Sequence, residues 1–196
     1  MSLRGAVVAV IAAFATTGAA LAADPIPTPI GVTPEYRLPA RGPTVEAGKP
    51  AGGLVCSSRV QPRFGVHLEL FARRLVLIVP AGIGIAPPLV RNDGAFVAGG
   101  RCSYAVRTRE PTGVIEVARG ANATLGTLFE VWGQPLSRTR LAGFRAKPGE
   151  GVLAFVAGKP WRGDPRAIPL RRHAQIVLQI GGFVPPHVSY LFPKGL

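Results

Sequence analysis

Residues 152–164 read VLAFVAGKPWRGD and residues 174–180 read AQIVLQI. Runs of β-branched and other apolar residues, as in Val152–Val156 and Ile176–Ile180, are typical of strands. Gly158, just after the first run, indicates a turn because glycine readily takes a positive φ. This part of the chain therefore predicts a strand, a tight turn, a short returning strand and a strong final strand.

One helix is predicted upstream of this stretch, over Leu125–Trp132. Its large apolar residues fall at positions i, i+3, i+4 and i+7, which places them on one face. Thr124 suits the N-cap, and Gly133 suits the left-handed position that ends many helices. We expect the apolar face to pack into the core.

Four further runs predict strands. Phe64–Phe71 alternates apolar with other residues, and Leu75–Pro80 is rich in β-branched residues, so the two predict a hairpin. Residues 81–100 predict a loop that continues irregularly. Tyr104–Arg109 and Val114–Val117 then predict two strands before the helix.

From Tyr104 onward, the order of strands and helix resembles the β-grasp (ubiquitin-like) arrangement, in which a mixed sheet packs on one helix. The resemblance implies an α+β fold with a β-grasp-like mixed sheet. The N-terminal β-hairpin, Phe64–Pro80, is then expected as an addition to that sheet or as a small sheet beside it. A likeness of fold carries little information about function.

The first 22 residues, MSLRGAVVAVIAAFATTGAALA, predict a secretory signal peptide cut after Ala22. An uncleaved membrane anchor is the alternative. Residues 23–53 hold seven prolines and predict a disordered linker. We expect a single domain over residues 54–182, an extended C-terminal tail over residues 183–196, and no later transmembrane segment. The location is then periplasmic or secreted.

The formal net charge of +13 predicts attraction to anions. For an exported chain the candidates are phospholipid headgroups, acidic or teichoic polymers and small anions. Export and the spacing of the aromatic residues argue against nucleic acid as a partner in vivo. A general arginine bias of the source genome is the alternative explanation. The oligomeric state is not predicted.

Cys56 and Cys102 are the two cysteines of the chain. In an oxidising compartment two cysteines in a small domain usually form a disulfide. Two thiolate metal ligands or a redox pair are the alternatives, although the spacing is not that of a C-x-x-C motif.

Several stretches resemble an uncharacterised family of secreted bacterial domains. The matching stretches are VPAGIGI at residues 79–85, LGTLFEVWGQPLS at 125–137, GDPR at 163–166, IPL at 168–170 and HAQI at 173–176, and the most specific pieces are WGQPLS and GDPRAIPL. That family carries H-x-H-x-H and L-H-T-H-D motifs on two strands. The resemblance implies a Zn, Cu or Ni site in those relatives, since alternate imidazoles share one face of a strand.

This chain departs from the family at most of those histidines. Residues 63–67 read RFGVH, so that His67 alone remains, and residues 107–109 read RTR. A later histidine is Glu116 here. Arginine has no lone pair to offer a metal. We therefore expect no metal and no cofactor, with His67, Glu69 and Glu116 as weak metal candidates.

The arginines in these positions suggest a different site. Arg107 and Arg109 share one face of a predicted strand and, with Arg63, are candidates for binding a carboxylate, phosphate or sulfate. A salt-bridged surface is the alternative, with partners at Glu69, Glu110 and Glu116.

No catalytic motif is present, and His173 and His187 are expected at the surface or in turns. We therefore expect a non-enzymatic binding or envelope-associated module with a basic face. The alternatives are a metal-binding protein related to the histidine-rich family and an enzyme of unrecognised type.

Overall fold

The structure is a computed structural model that describes residues 49–91 and 96–196. The predicted signal peptide and residues 23–48 of the predicted linker lie outside the described residues. Residues near the end of that linker contact the domain. Ala51 lies against the core, and the Tyr104 hydroxyl donates to the carbonyl oxygen of Lys49 at 2.8 Å. The packed region therefore includes residues from Lys49 onward.

The described chain contains twelve strands, one α-helix and one short 3-10 helix. They are β1 (Arg63–Ala72), β2 (Leu75–Leu77), β3 (Val90–Arg91), β4 (Val97–Gly99), β5 (Val106–Arg107), β6 (Val114–Ala118), α1 (Leu125–Trp132), β7 (Leu136–Ser137), β8 (Arg140–Leu141), β9 (Phe144–Arg145), β10 (Val152–Val156), β11 (Lys159–Pro160), the 3-10 helix Pro165–Ala167 and β12 (Gln175–Ile180).

Seven strands form one mixed sheet in the order β11-β10-β12-β1-β6-β5, with β2 paired to the end of β1. The central pair, β1 and β12, is parallel, and the other pairs are antiparallel. The expected α+β class, mostly sheet with one helix, is confirmed.

The first hairpin is not an addition to the sheet, because β1 is a central strand. Its first half pairs with β6, its last three residues pair with β2, and its other edge pairs with β12. The turn to β2 consists of Arg73 and Arg74, with φ of 52° and 68°. Two positive φ values are those of the primed turns that suit hairpins, here without the usual Asn-Gly.

Helix α1 has the predicted bounds. The Thr124 side chain accepts from the amide of Thr127, and Gly133 ends the helix at φ 73°. Leu125, Leu128 and Phe129 are fully buried, and together with one face of the sheet they form the main core.

Three regions differ from the sequence expectations. The loop over residues 81–100 contains the small hairpin β3–β4, and the predicted strand Tyr104–Arg109 is reduced to Val106–Arg107. The small sheet β7–β8–β9 was not predicted. Strands of two or three residues are too short to show a period of two.

The second face of the sheet lies under the C-terminal residues 183–196. Phe71, Phe155 and Val177 form a small apolar cluster there. The Gln179 side chain holds the backbone of Val184 through both its amide atoms. Of residues 49–91 and 96–196, none belongs to a helix with the length and hydropathy to cross a membrane.

Candidate functional site

Alternation along β1 places Arg63, Gly65, His67 and Glu69 on the second face of the sheet, because Val66 and its apolar neighbours point to the core. Gly65 lies opposite Glu116 in the ladder, and Glu116 lies opposite Arg107. The sheet therefore brings together the positions at which the resembled family has histidines.

Arg63 is buried and is nearly saturated with acceptors. Its two terminal nitrogens donate to the carbonyl oxygens of Tyr104, Ala105 and Glu116 at 3.0–3.3 Å, and to the hydroxyl of Ser103 at 3.3 Å. Burial, and then the charge of neighbouring arginines, lowers the pKa of Arg63 to about 10. Its guanidinium thus ties the start of β1 to the segment around β5, and few of its donors remain for a ligand.

Glu116 is the ion-pair partner of the other two candidate arginines. Nε and Nη2 of Arg107 donate to Oε2 of Glu116 at 2.9 and 2.7 Å, and Nη1 of Arg109 lies 3.6 Å from Oε1. Arg109 also lies over the ring of Phe96, at 4.4 Å from its centroid. Of the three predicted carboxylate partners, Glu116 therefore makes this salt-bridged arrangement.

His67 is buried, and both of its ring nitrogens have partners. Nδ1 lies 2.7 Å from Oε1 of Gln175, and Nε2 lies 3.0 Å from the carbonyl oxygen of Thr112. Burial lowers the pKa of His67 and favours the neutral ring. A half-turn of the Gln175 amide would let its Nε2, which has no partner, donate to the unprotonated Nδ1.

The weak metal candidates are not brought together as a ligand set. His67 Nδ1 is 3.8 Å from Oε1 of Glu69, but its lone pair faces Gln175, and Glu116 is held by arginines. Among the described residues, no three His, Cys, Asp or Glu side chains are grouped so that they could hold a metal ion.

The two exposed histidines belong to the contact between the C-terminal residues and the sheet. His187 Nδ1 lies 2.9 Å from both carboxylate oxygens of Glu69. His173 stacks on Phe192 with ring centroids 4.7 Å apart, and its Nε2 lies 2.8 Å from the carbonyl oxygen of Leu196. These contacts are structural.

The disulfide between Cys56 and Cys102 is present, as predicted, with a Cα–Cα distance of 5.6 Å. It joins the segment before β1 to the segment before β5. Next to it, Ser57 and Ser103 exchange two backbone hydrogen bonds of 2.9 and 2.8 Å. The two segments are thus held side by side in an antiparallel sense.

A groove of about 260 Å³ lies beside the disulfide, and we call it the arginine groove. Arg59, Arg63, Arg101 and Arg107 line it together with backbone and serine hydroxyls. Sequence reasoning found Arg63 and Arg107 but missed Arg59 and Arg101. The available signal was their position, since Arg59 follows Cys56 by three residues and Arg101 directly precedes Cys102.

Among the described residues, the charge of the arginine groove is balanced only in part, by the ion pair of Arg107 with Glu116. Among the described residues that line it, four are arginines and none is acidic. Arg59 and Arg101 are exposed, and neither side chain forms a hydrogen bond or ion pair with a described residue. As far as the described residues are concerned, both guanidiniums are available to bind an anion.

Comparison of the chain with protein-family models, with curated protein sequences and with solved structures finds no similar protein.

Proposed function

We propose that this chain is an exported, non-enzymatic binding module that holds an anionic group in the arginine groove. The observation that carries the proposal is the gathering of four guanidiniums at one described cavity without an acidic side chain in its lining. Like charges placed this close repel one another, and a bound anion removes that repulsion.

The net charge of the chain does not by itself explain why an anion would bind at the arginine groove. Arg107 and Arg109 share Glu116, so the charge of Arg107, one of the four groove arginines, is partly neutralised. Arg59 and Arg101 have no such partner among the described residues. Exposed guanidiniums without an acidic partner are suited to carboxylate, phosphate or sulfate.

Export is part of the proposal. The disulfide is compatible with an extracytoplasmic location, where such bonds persist. In that compartment the anionic partners are phospholipid headgroups, acidic or teichoic polymers, and small anions. The sequence of residues 1–22 supports a signal peptide cut after Ala22.

We further propose a β-grasp relationship. Five strands in the order β6-β1-β12-β10-β11, with a parallel central pair and α1 between β6 and β10, support it. In this assignment β1 is the first strand of the fold, and not an added one. The shared face of positions 63, 65, 67, 107 and 116 supports kinship with the histidine-rich secreted family.

The test is binding of the oxidised protein to immobilised heparin, a sulfated polysaccharide, and to phosphatidylglycerol vesicles. The double variant Arg59→Gln/Arg101→Gln is compared with Arg162→Gln/Arg171→Gln, which removes the same charge from exposed sites elsewhere. We expect about tenfold or greater weakening in the first and little change in the second. Equal weakening in both variants would mean that net charge alone drives binding, and the proposal fails.

A further inference from the structure

We infer that the arginine groove takes a tetrahedral oxyanion, a phosphate or sulfate group, in preference to a carboxylate. The inference rests on the function proposed above and concerns the class of ligand at the same site. Three features of the groove carry it: most donors of Arg63 and Arg107 are already used, two further arginines in its lining have no side-chain partner among the described residues, and three serines line it as well.

Two of the arginines that line the groove, Arg63 and Arg107, contribute positive charge but few free hydrogen-bond donors. Arg63 gives its terminal N–H groups to Ser103 and to three carbonyl oxygens. Arg107 gives Nε and Nη2 to Glu116. An anion in the groove is therefore attracted by these two arginines but must find its hydrogen bonds mainly elsewhere.

Arg59 and Arg101 reach the groove from the two segments that the disulfide joins. Ser57 pairs with Ser103 in an antiparallel bridge. Arg59 lies two residues after Ser57, and Arg101 lies two residues before Ser103, so the bridge brings both arginines to the lining of the same groove. Like charges that line one groove repel each other, and a bound anion offsets that repulsion.

Serine residues add hydroxyl groups to the lining of the groove. The Ser103 hydroxyl oxygen accepts from Arg63 at 3.3 Å, which leaves its proton available to donate. Ser57 and Ser58 line the same cavity. Donors available to an anion thus include the guanidiniums of Arg59 and Arg101 and the serine hydroxyls.

The number and placement of acceptor oxygens decide which anion fits. A carboxylate has two oxygens in one plane, which a single guanidinium fork satisfies. A phosphate or sulfate group has at least three oxygens that are not in one plane with its central atom, so it can accept from both forks and from a hydroxyl at once. The groove should therefore bind the tetrahedral group more tightly.

The test is calorimetric titration of the oxidised chain with sodium phosphate, sodium sulfate and sodium acetate at equal ionic strength. We expect phosphate and sulfate to bind about tenfold or more tightly than acetate, because they engage both arginines. Arg59→Gln and Arg101→Gln should each reduce that preference, and Arg162→Gln should leave it unchanged. Equal unfolding midpoints establish that the variants are folded.

A vesicle arm distinguishes a lipid source from a soluble one. Phosphatidylcholine vesicles carry either phosphatidic acid, with a phosphomonoester headgroup, or oleic acid, with a carboxylate. Preference for phosphatidic acid over oleic acid supports the inference with a membrane source, and tight binding of free phosphate supports it with a soluble source.

The contrary outcomes separate the two proposals. If acetate binds as tightly as sulfate, or if no inorganic anion binds and the two vesicle types are bound equally, the preference for a tetrahedral group is wrong. The proposed function then stands as long as binding to polyanions still depends on Arg59 and Arg101. If Arg59→Gln and Arg101→Gln change no binding, both proposals are wrong.

Discussion

His67 on the central strand and Tyr190 in the C-terminal residues stack with ring centroids 3.6 Å apart and planes 13° apart. The contact covers a buried imidazole with an aromatic ring that the sequence places 123 positions later. Protonation of His67 should therefore affect the contact between the C-terminal residues and the sheet.

Acidification should destabilise the fold through His67. Burial lowers the pKa of His67, so below about pH 6.5, the ordinary value for histidine, the unfolded chain binds more protons than the folded one. The stabilising effect of the neutral ring is therefore complete above about pH 6.5 and is lost as the pH falls towards the lowered pKa of the folded state. Urea unfolding at a series of pH values between about 5 and 8 tests this. The quantity to compare is the slope of the free energy of unfolding against pH.

The matched variants for this prediction are His67→Gln and His173→Gln. His67 is buried, whereas His173 is exposed. The free energy of unfolding should depend less steeply on pH in His67→Gln and as steeply as in the unchanged protein in His173→Gln. Charged and titratable groups near His67 are Glu69 and His187, so a slope that persists in His67→Gln would assign the effect to them instead.

A methyl group at Gly65 should displace the C-terminal residues. A Cβ there would lie 2.6 Å from Cδ1 of Phe192, which is closer than such contacts allow. We expect Gly65→Ala to leave the sheet folded but to make residues 183–196 more sensitive to limited proteolysis. Gly143→Ala is the control, because nothing lies within 4 Å of the Cβ it adds. Unchanged cleavage in Gly65→Ala would contradict the prediction.

Local sequence patterns predicted the elements whose stabilising contacts join residues close in sequence. The helix was found from its apolar spacing and its caps at Thr124 and Gly133, whose hydrogen bonds join residues close in sequence. Alternation in β1 correctly gave a strand, but alternation does not say which strand lies beside it. The parallel pairing of β1 with β12 joins His67 to Gln175, and no local signal specifies that partner.

Local sequence patterns likewise revealed only part of the candidate site. Arg107 and Arg109 were found because they alternate on a predicted strand, and Glu116 was named among their partners. Arg59 and Arg101 lie in irregular segments, where no period exists. Both line the arginine groove because the disulfide and the Ser57–Ser103 bridge join those segments, so the predicted cysteine pair was the clue to this shared lining.

Removal of the Arg63 guanidinium should destabilise the protein strongly. Arg63→Met removes a buried donor from the carbonyl oxygens of Tyr104, Ala105 and Glu116, and that of Ala105 keeps its bond from the amide of Ala118. A buried polar group left unpaired costs about 1–3 kcal/mol, so the loss of the donor to Tyr104 alone should lower the free energy of unfolding by about that amount. Chemical denaturation of Arg63→Met and of the exposed control Arg162→Met measures it, and similar losses in the two would contradict this role.

Reduction of the disulfide should weaken both stability and the binding proposed for the arginine groove. The bond closes a loop with a sequence separation of 46 residues. For a loop of that size the expected stabilisation is about 2–4 kcal/mol. Because the same bond holds the segments that carry Arg59 and Arg101 side by side, its loss should also separate the two guanidiniums. The variant Cys56→Ser/Cys102→Ser is therefore expected to unfold at lower urea concentration and, where still folded, to bind sulfate about tenfold or more weakly. Sulfate binding that survives in the folded double variant would show that the backbone pairing of Ser57 with Ser103 is sufficient to place the arginines.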